Sequence, residues 1–202
     1  MKRYYRYFNG FLDTQEKWLN KMAHKGLRLI GTGKLYYDFE PCTADEYQYC
    51  VEFTAHRSYK NEQDYRRFLE DLGYHVFYKN INWNYSIGKV TFRPYGHGKG
   101  KIATKPGNYD KELFIIEKKN DGQPFVLHTL FSDKAAYYKP VRNAWLSLSL
   151  LSLFCSIYSL IRIGVHSKEF IIFLISGMAA FVPVYLYHKQ IRSFLRKAEI
   201  EE

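Results

Sequence analysis

The sequence predicts an α+β protein: a ferredoxin-like βαββαβ antiparallel sheet with an extra C-terminal β-hairpin, followed by a two-helix transmembrane hairpin. Three observations predict it. Apolar and polar residues alternate over several segments, two segments carry helical spacing that ends at a glycine, and two long runs near the C-terminus carry no charge.

Residues 4–11 read as a short strand. Asp13-Thr14-Gln15-Glu16 then supplies an N-cap with an acid at the third helical position, and Trp18, Leu19, Met22 and Ala23 follow on one face until Gly26. From 27 to 40, Leu27, Leu29, Leu35, Tyr37 and Phe39 fall on one side of an extended chain, with Arg28, Thr32, Lys34, Asp38 and Glu40 on the other. A turn at 41–45 leads to a second alternating strand over 47–55, so these two strands are expected to form a hairpin. Asn61 opens a second helix with Tyr65, Phe68, Leu69 and Leu72 as its apolar stripe, Glu62/Arg66, Arg66/Glu70 and Arg67/Asp71 as outer pairs, and Gly73 as its stop. Strands at 74–81 and 83–92 follow. Residues 113–117 and 125–130, joined through Asn120-Asp121-Gly122, read as the extra hairpin, and 132–138 as a helical lead.

Nineteen uncharged residues separate Arg142 from Arg162, and eighteen separate Glu169 from His188. At ~1.5 Å per residue each run is ~27–29 Å long, close to the hydrocarbon thickness of a bilayer. Trp145, Tyr185 and Tyr187 lie near the ends, as interfacial aromatics do. Lys134, Lys139, Arg142, Lys189, Arg192, Arg196 and Lys197 flank the pair, against Arg162 and Lys168 between the runs, so both termini are expected in the cytoplasm. The division is therefore 1–140, a cytoplasmic α+β domain; 141–188, a hairpin with spans about 144–162 and 169–187; and 189–202, a cytoplasmic tail. The small residues Ser152 and Ser156, and Ser176 and Ala180, have the spacing that lets helix backbones approach, either within the hairpin or between copies of it.

The chain has 202 residues, 47% hydrophobic and 25% charged, which is enough to bury a core and excludes a disordered chain. Three cysteines without a CxxC pair exclude a secreted disulfide scaffold and read as buried thiols in a reducing compartment. With only two apolar runs a polytopic transporter is excluded, and no Asp, Glu, Lys or Arg within either run marks an ion path.

The run Glu16-Lys17-Trp18-Leu19-Asn20-Lys21-Met22-Ala23-His24-Lys25-Gly26, the aromatic strand ending at Phe39, residues 47–53, Phe68-Leu69-Glu70-Asp71-Leu72-Gly73 and the later 117–125 turn resemble a bacterial family, the domain of unknown function 2812. The resemblance covers roughly 1–90 and 112–140. It implies a C-terminal membrane anchor in a bacterial cell membrane, genes beside PadR-type regulators, and no catalytic residues to carry over. Leu27 stands where an aromatic is usual, and the glycine-rich stretch 93–111 departs from the pattern.

That stretch holds Lys99, Lys101 and Lys105, which could meet anionic lipid or phosphate, although neither its spacing nor a following Ser or Thr makes it a P-loop. The seven histidines form no metal-ligand spacing, no catalytic frame is present, and no cofactor is implied. Aromatics on a basic sheet invite RNA binding, but Gly88-Lys89-Val90-Thr91-Phe92 does not make the required motif, so nucleic acid is not expected. The sheet face with Arg28, Lys34, Tyr36, Gln48, Glu52 and Thr54 is mixed in sign and suits a cytosolic protein partner or a second copy. The function expected is a non-enzymatic sensing or regulatory module, membrane-anchored, that binds a partner or small ligand. A triggered oligomeric membrane effector and a membrane-surface enzyme on a phosphorylated ligand are the alternatives.

Overall fold

The computed structural model describes residues 1–8, 10–54, 57–80, 85–87, 90–92, 102–103, 112–125, 127 and 131–201. They fall into two units, Met1–His128 and Thr129–Glu202.

The first unit contains three antiparallel sheets. β1 (Lys2–Tyr5), β3 (Tyr36–Pro41) and β2 (Leu27–Thr32) form one of them, in that spatial order. β4 (Tyr47–Phe53), β9 (Leu113–Lys119) and β5 (His75–Lys79) form the second. β6 (Tyr85–Ile87), β7 (Val90–Phe92) and β8 (Ile102–Ala103) form the third. Helices α1 (Leu12–His24) and α2 (Tyr59–Asp71) complete an α+β unit with which the ferredoxin-like arrangement is compatible in outline.

The pairings differ from those expected. Residues 27–40 are two strands, because Gly33 turns the chain. Its amide donates to the Tyr36 carbonyl (3.0 Å), and a Cβ on Gly33 would lie 2.2 Å from the Tyr36 ring. A bulge at Ile30 shifts the register, and Leu29, Tyr37 and Phe39 still reach the interior. β4 then pairs with β9 instead of with its predecessor. The reason lies in Leu113-Phe114-Ile115-Ile116, four consecutive residues at most 1% exposed. A strand apolar on both sides belongs in the middle of a covered sheet, and β4 and β5 flank it. Segment 83–92, expected as one strand, contains the β6–β7 hairpin; Trp83 lies outside the described residues. The second strand of the expected C-terminal hairpin also falls largely outside them, whereas its turn is present: Asn120 Oδ1 accepts from the Gly122 amide at 2.9 Å.

One face of the β4–β9–β5 sheet is covered by α2, where Leu69, Val76, Phe114 and Ile116 form a core joined by Tyr65, Tyr78, Phe125 and Leu127. Helix α1 buries Leu12, Leu19, Met22 and Ala23, while Trp18 meets Tyr37 and Phe39 of β3 edge-on at 4.9 and 5.6 Å. α1 begins at Leu12 without a side-chain cap; Asp13 lies in its first turn, where an acid favours the helix dipole. Glu16 is instead spent on the Val51 amide (2.9 Å). Gly26 ends the helix at φ +71°, and a Cβ there would lie 2.8 Å from the Cys42 carbonyl oxygen, so only glycine fits. α2 starts two residues before Asn61, with Ser58 Oγ accepting from the Asn61 amide. Arg66–Glu70 pairs as expected at 2.7 Å, Arg67 turns to Asp64, and Glu62 is buried.

The second unit is a helical hairpin. α3 (Phe131–Arg162) and α4 (Lys168–Glu201) contain both apolar runs and continue past them as helix. Only 17% and 22% of their most apolar windows are buried, so these are not core helices. Their length and hydropathy fit a two-pass membrane protein. On α4, Gly177, Ala180, Val184, Tyr187, Ile191 and Phe194 are buried at alternating three- and four-residue spacing, the seam of a coiled-coil-like pair.

Candidate binding cleft

The β4–β9–β5 sheet leaves the outer edge of β4 without a strand partner among the described residues, and α1 covers that edge with two side chains. Asn20 Nδ2 donates to the Tyr49 carbonyl (2.8 Å) and its Oδ1 accepts from the Tyr49 amide (2.9 Å), as a neighbouring strand would. Glu16 takes the Val51 amide, two residues on. This is how an exposed edge is made safe against chance strand pairing.

Below these contacts lies an open cleft of about 420 Å³, lined by Glu16, Asn20, Asp45, Tyr47, Gln48, Tyr49, Asn120, Pro124 and Phe125. Its floor is fixed by the Asn120 turn. Asn120 Nδ2 donates to the Asp45 carbonyl (2.8 Å), its amide to the Glu46 carbonyl (2.9 Å), and its Oδ1 accepts from Gln48 Nε2 (2.6 Å). Asp121 is held by Lys118, whose hydrogen bond at 2.9 Å keeps that carboxyl below its ordinary range. Gln48 Oε1 is buried with no partner among the described residues, an acceptor left over at the cleft. Tyr47 forms an aromatic wall, with the Arg28 guanidinium 4.4 Å from its ring centroid.

Behind the cleft runs a buried charged chain. Arg28 donates to Glu117 Oε1 through Nε (3.1 Å) and Nη2 (2.9 Å), the Tyr49 hydroxyl donates to Glu117 Oε2 (2.8 Å), and that hydroxyl accepts from the Leu29 amide (2.8 Å). The Glu117 hydrogen bond raises Arg28 still further above its ordinary value, and burial together with the Glu117 charge pushes the Tyr49 phenol up. Arg28 stays a cation and Tyr49 a donor. The chain ties β2 to β4 and β9, and so makes the wall of the cleft rigid.

The residues expected on one partner-binding face are placed apart. Arg28 is committed to Glu117, and Tyr36 carries the Arg3 guanidinium 3.9 Å above its ring. Lys34 is exposed on the β2–β3 turn, where its carbonyl accepts from Lys79 Nζ (3.0 Å). Glu52 is 1% exposed, accepting from the Tyr65 hydroxyl (2.7 Å) and facing Arg57 (3.3 Å), because α2 covers the face that alternation assigned to solvent. Thr54 is likewise buried. Of the six, only Gln48 lines the cleft. Lys99, Lys101 and Lys105 lie outside the described residues.

In the hairpin, Ser156 and Ala180 are in the seam, Ser152 is half-buried, and Ser176 faces outward with its Oγ on the Phe173 carbonyl (3.1 Å). Two residues the spacing argument passed over also meet across the seam. Ser149 Oγ donates to the Gly177 carbonyl at 2.8 Å, and a Cβ on Gly177 would meet Leu153 at 3.0 Å.

Among the described residues no group of three His, Cys, Asp or Glu could hold a metal ion, and Cys42, Cys50 and Cys155 are free thiols. Sequence reasoning missed Asn20, Asp45 and Asn120 as site residues. The signals were present, in the Trp18-Leu19-Asn20 run and the Asn-Asp-Gly turn, but an edge-capping asparagine looks like any polar residue until its strand is placed. A family model described as "Protein of unknown function (DUF2812)" matches residues 11–150. Neither a curated protein nor a solved structure matches the chain.

Proposed function

We propose a function on the premise that the chain belongs to the DUF2812 family, a family of unknown function: it is a membrane-anchored, non-enzymatic regulatory module whose α+β unit holds a segment of a cytosolic protein in the Asn120 cleft. The observation that carries the reading is the cleft itself, open on one side, rigid at its floor and mixed in character. A small-molecule site encloses most of its ligand; an open groove beside a strand edge suits a polypeptide. Tyr47 and Phe125 offer apolar contact, and Asn20 and Gln48 give the walls a polar side. No Ser, Cys, His or Lys lines the cleft among the described residues, which supports binding over chemistry that needs such a nucleophile.

The hairpin serves as anchor. Its flanking cations favour a bacterial cell membrane crossed twice with both termini cytoplasmic, which holds the cleft where a cytosolic partner can reach it. The small residues Ser156, Gly177 and Ala180 are used within the hairpin, which weighs against an oligomeric membrane effector.

Site-directed photocrosslinking on the full-length chain in its native membrane tests this. A photoreactive phenylalanine at Tyr47 or Phe125 is expected to give one discrete protein adduct, and the same probe at Lys21, on the exposed side of α1, none. Adducts of equal pattern at all three positions, or none at Tyr47 and Phe125, would overturn the reading.

A further inference from the structure

Beyond its apolar run, α4 continues as helix through Glu201, and one face of this extension forms a groove of about 540 Å³. Tyr185, His188, Lys189, Arg192, Arg196 and Lys197 line it, at the spacing that keeps side chains on one side of a helix. The four cations Lys189, Arg192, Arg196 and Lys197 have no ion pair among the described residues. That is unlike the first unit, where Arg3, Arg28, Arg57 and Arg66 each face a carboxylate. Between Glu169 and Glu199, α4 carries no acid at all.

Depth identifies the counterion. Tyr187 ends the uncharged run, so Lys189 and Arg192 stand about half a turn and about one and a half turns past the hydrocarbon boundary, where lipid phosphates lie, and Tyr185 sits at the interface. Lys189 to Arg196 covers ~10 Å of helix, more than one phosphate spans. We propose that this face of α4 is a binding site for the phosphate-bearing headgroup of an anionic phospholipid, with Lys189 and Arg192 at phosphate level, Arg196 and Lys197 reaching back to the outer part of the headgroup, and Tyr185 against the acyl chain. The site is separate from the Asn120 cleft and does not depend on the reading given to it.

The full-length protein in mild detergent is titrated with phosphatidylglycerol, phosphatidylcholine and inorganic phosphate, and lipid retention is counted by native mass spectrometry. The expected result is preferential retention of phosphatidylglycerol. A cation near a membrane surface is worth about fivefold in affinity, so the R192Q/R196Q pair should lose roughly 25-fold. K168Q, at the other end of the hairpin, should bind as wild type. Helicity measured by circular dichroism separates a lost site from a lost helix. Equal retention of both lipids would overturn the proposal, as would wild-type binding by a helical R192Q/R196Q. Displacement of lipid by submillimolar inorganic phosphate would also overturn it, by making the groove a site for soluble phosphate.

Discussion

In Met1–His128 the interior is made of Leu19, Phe39, Val51, Phe114 and Ile115, with most charges outward, whereas along the α3–α4 seam it includes Ser149, Ser156, Gly177 and Ala180, with Leu150, Phe154, Ile157, Ile172 and Phe181 facing out. Each arrangement suits a different solvent. In water, burying apolar surface is the driving force, and the polar groups that go inside must be fully paired, as Glu117 is by Arg28 and Tyr49. In lipid, apolar surface gains nothing by hiding, so small residues and serine–carbonyl bonds hold the helices together. The seam continues past the apolar run into residues of the first kind: Phe194 stacks on Tyr138 at 5.8 Å and on Phe131 at 6.2 Å. One helical pair thus changes its means of association along its length.

The largest expected effect lies in the first unit. Glu117→Ala leaves the Tyr49 hydroxyl without its acceptor and the Arg28 guanidinium with only its longer contact to Glu40 (3.8 Å), and should cost about 3 kcal/mol in denaturant unfolding of the detergent-solubilised protein. An effect under about 1 kcal/mol would mean that water replaces the carboxylate and that the wall of the cleft is not built as described. In the seam, Gly177→Leu should cost about 1–3 kcal/mol, because its side chain must push Leu153 and the helix backbone apart. The same change at outward Met178 should be neutral, and equal effects at the two positions would erase the distinction between seam and lipid face. Ser149→Ala removes one bond to a backbone carbonyl and should cost only about 0.6 kcal/mol.

Acid provides the smallest test and bears on the first unit. Arg3 donates to both Asp38 oxygens (2.7 and 2.9 Å), and these hydrogen bonds hold the Asp38 carboxyl below its ordinary value. A depressed carboxyl contributes stability above its unfolded pKa of ~3.9, and that stability is lost as pH falls through the folded value. Near-ultraviolet circular dichroism should therefore show a gentler acid loss in Arg3→Gln than in wild type, while Gly177→Leu keeps the wild-type acid profile. Identical profiles for wild type and Arg3→Gln would remove Asp38 from the account.

Long periodic segments were legible in the sequence for physical reasons. α1, α2 and the two apolar runs follow from spacing and glycine stops, because local geometry decides them. Strand pairing was not, since nothing local told β4 to pair with β9 across sixty residues of chain; the uninterrupted Leu113–Ile116 stretch was the clue, because only a central strand hides both faces. The error at Glu52 has the same origin, as alternation predicts one wet face and α2 covers it. Asn20 and Asn120 escaped notice because their role is to satisfy backbone at an edge and a turn that exist only after pairing.

The most direct test of the central claim, a unit built for water joined to one built for lipid, is the sidedness of the hairpin in bacterial cells. With Cys42, Cys50 and Cys155 replaced by alanine, Ser167→Cys in the connecting turn and Ala198→Cys near the end of α4 are labelled with a membrane-impermeant maleimide. The account predicts that Ser167→Cys reacts in intact cells and Ala198→Cys only after permeabilisation, with both variants remaining in the membrane after alkaline carbonate. Release by carbonate, or protection of both cysteines until the cells are opened, would contradict it.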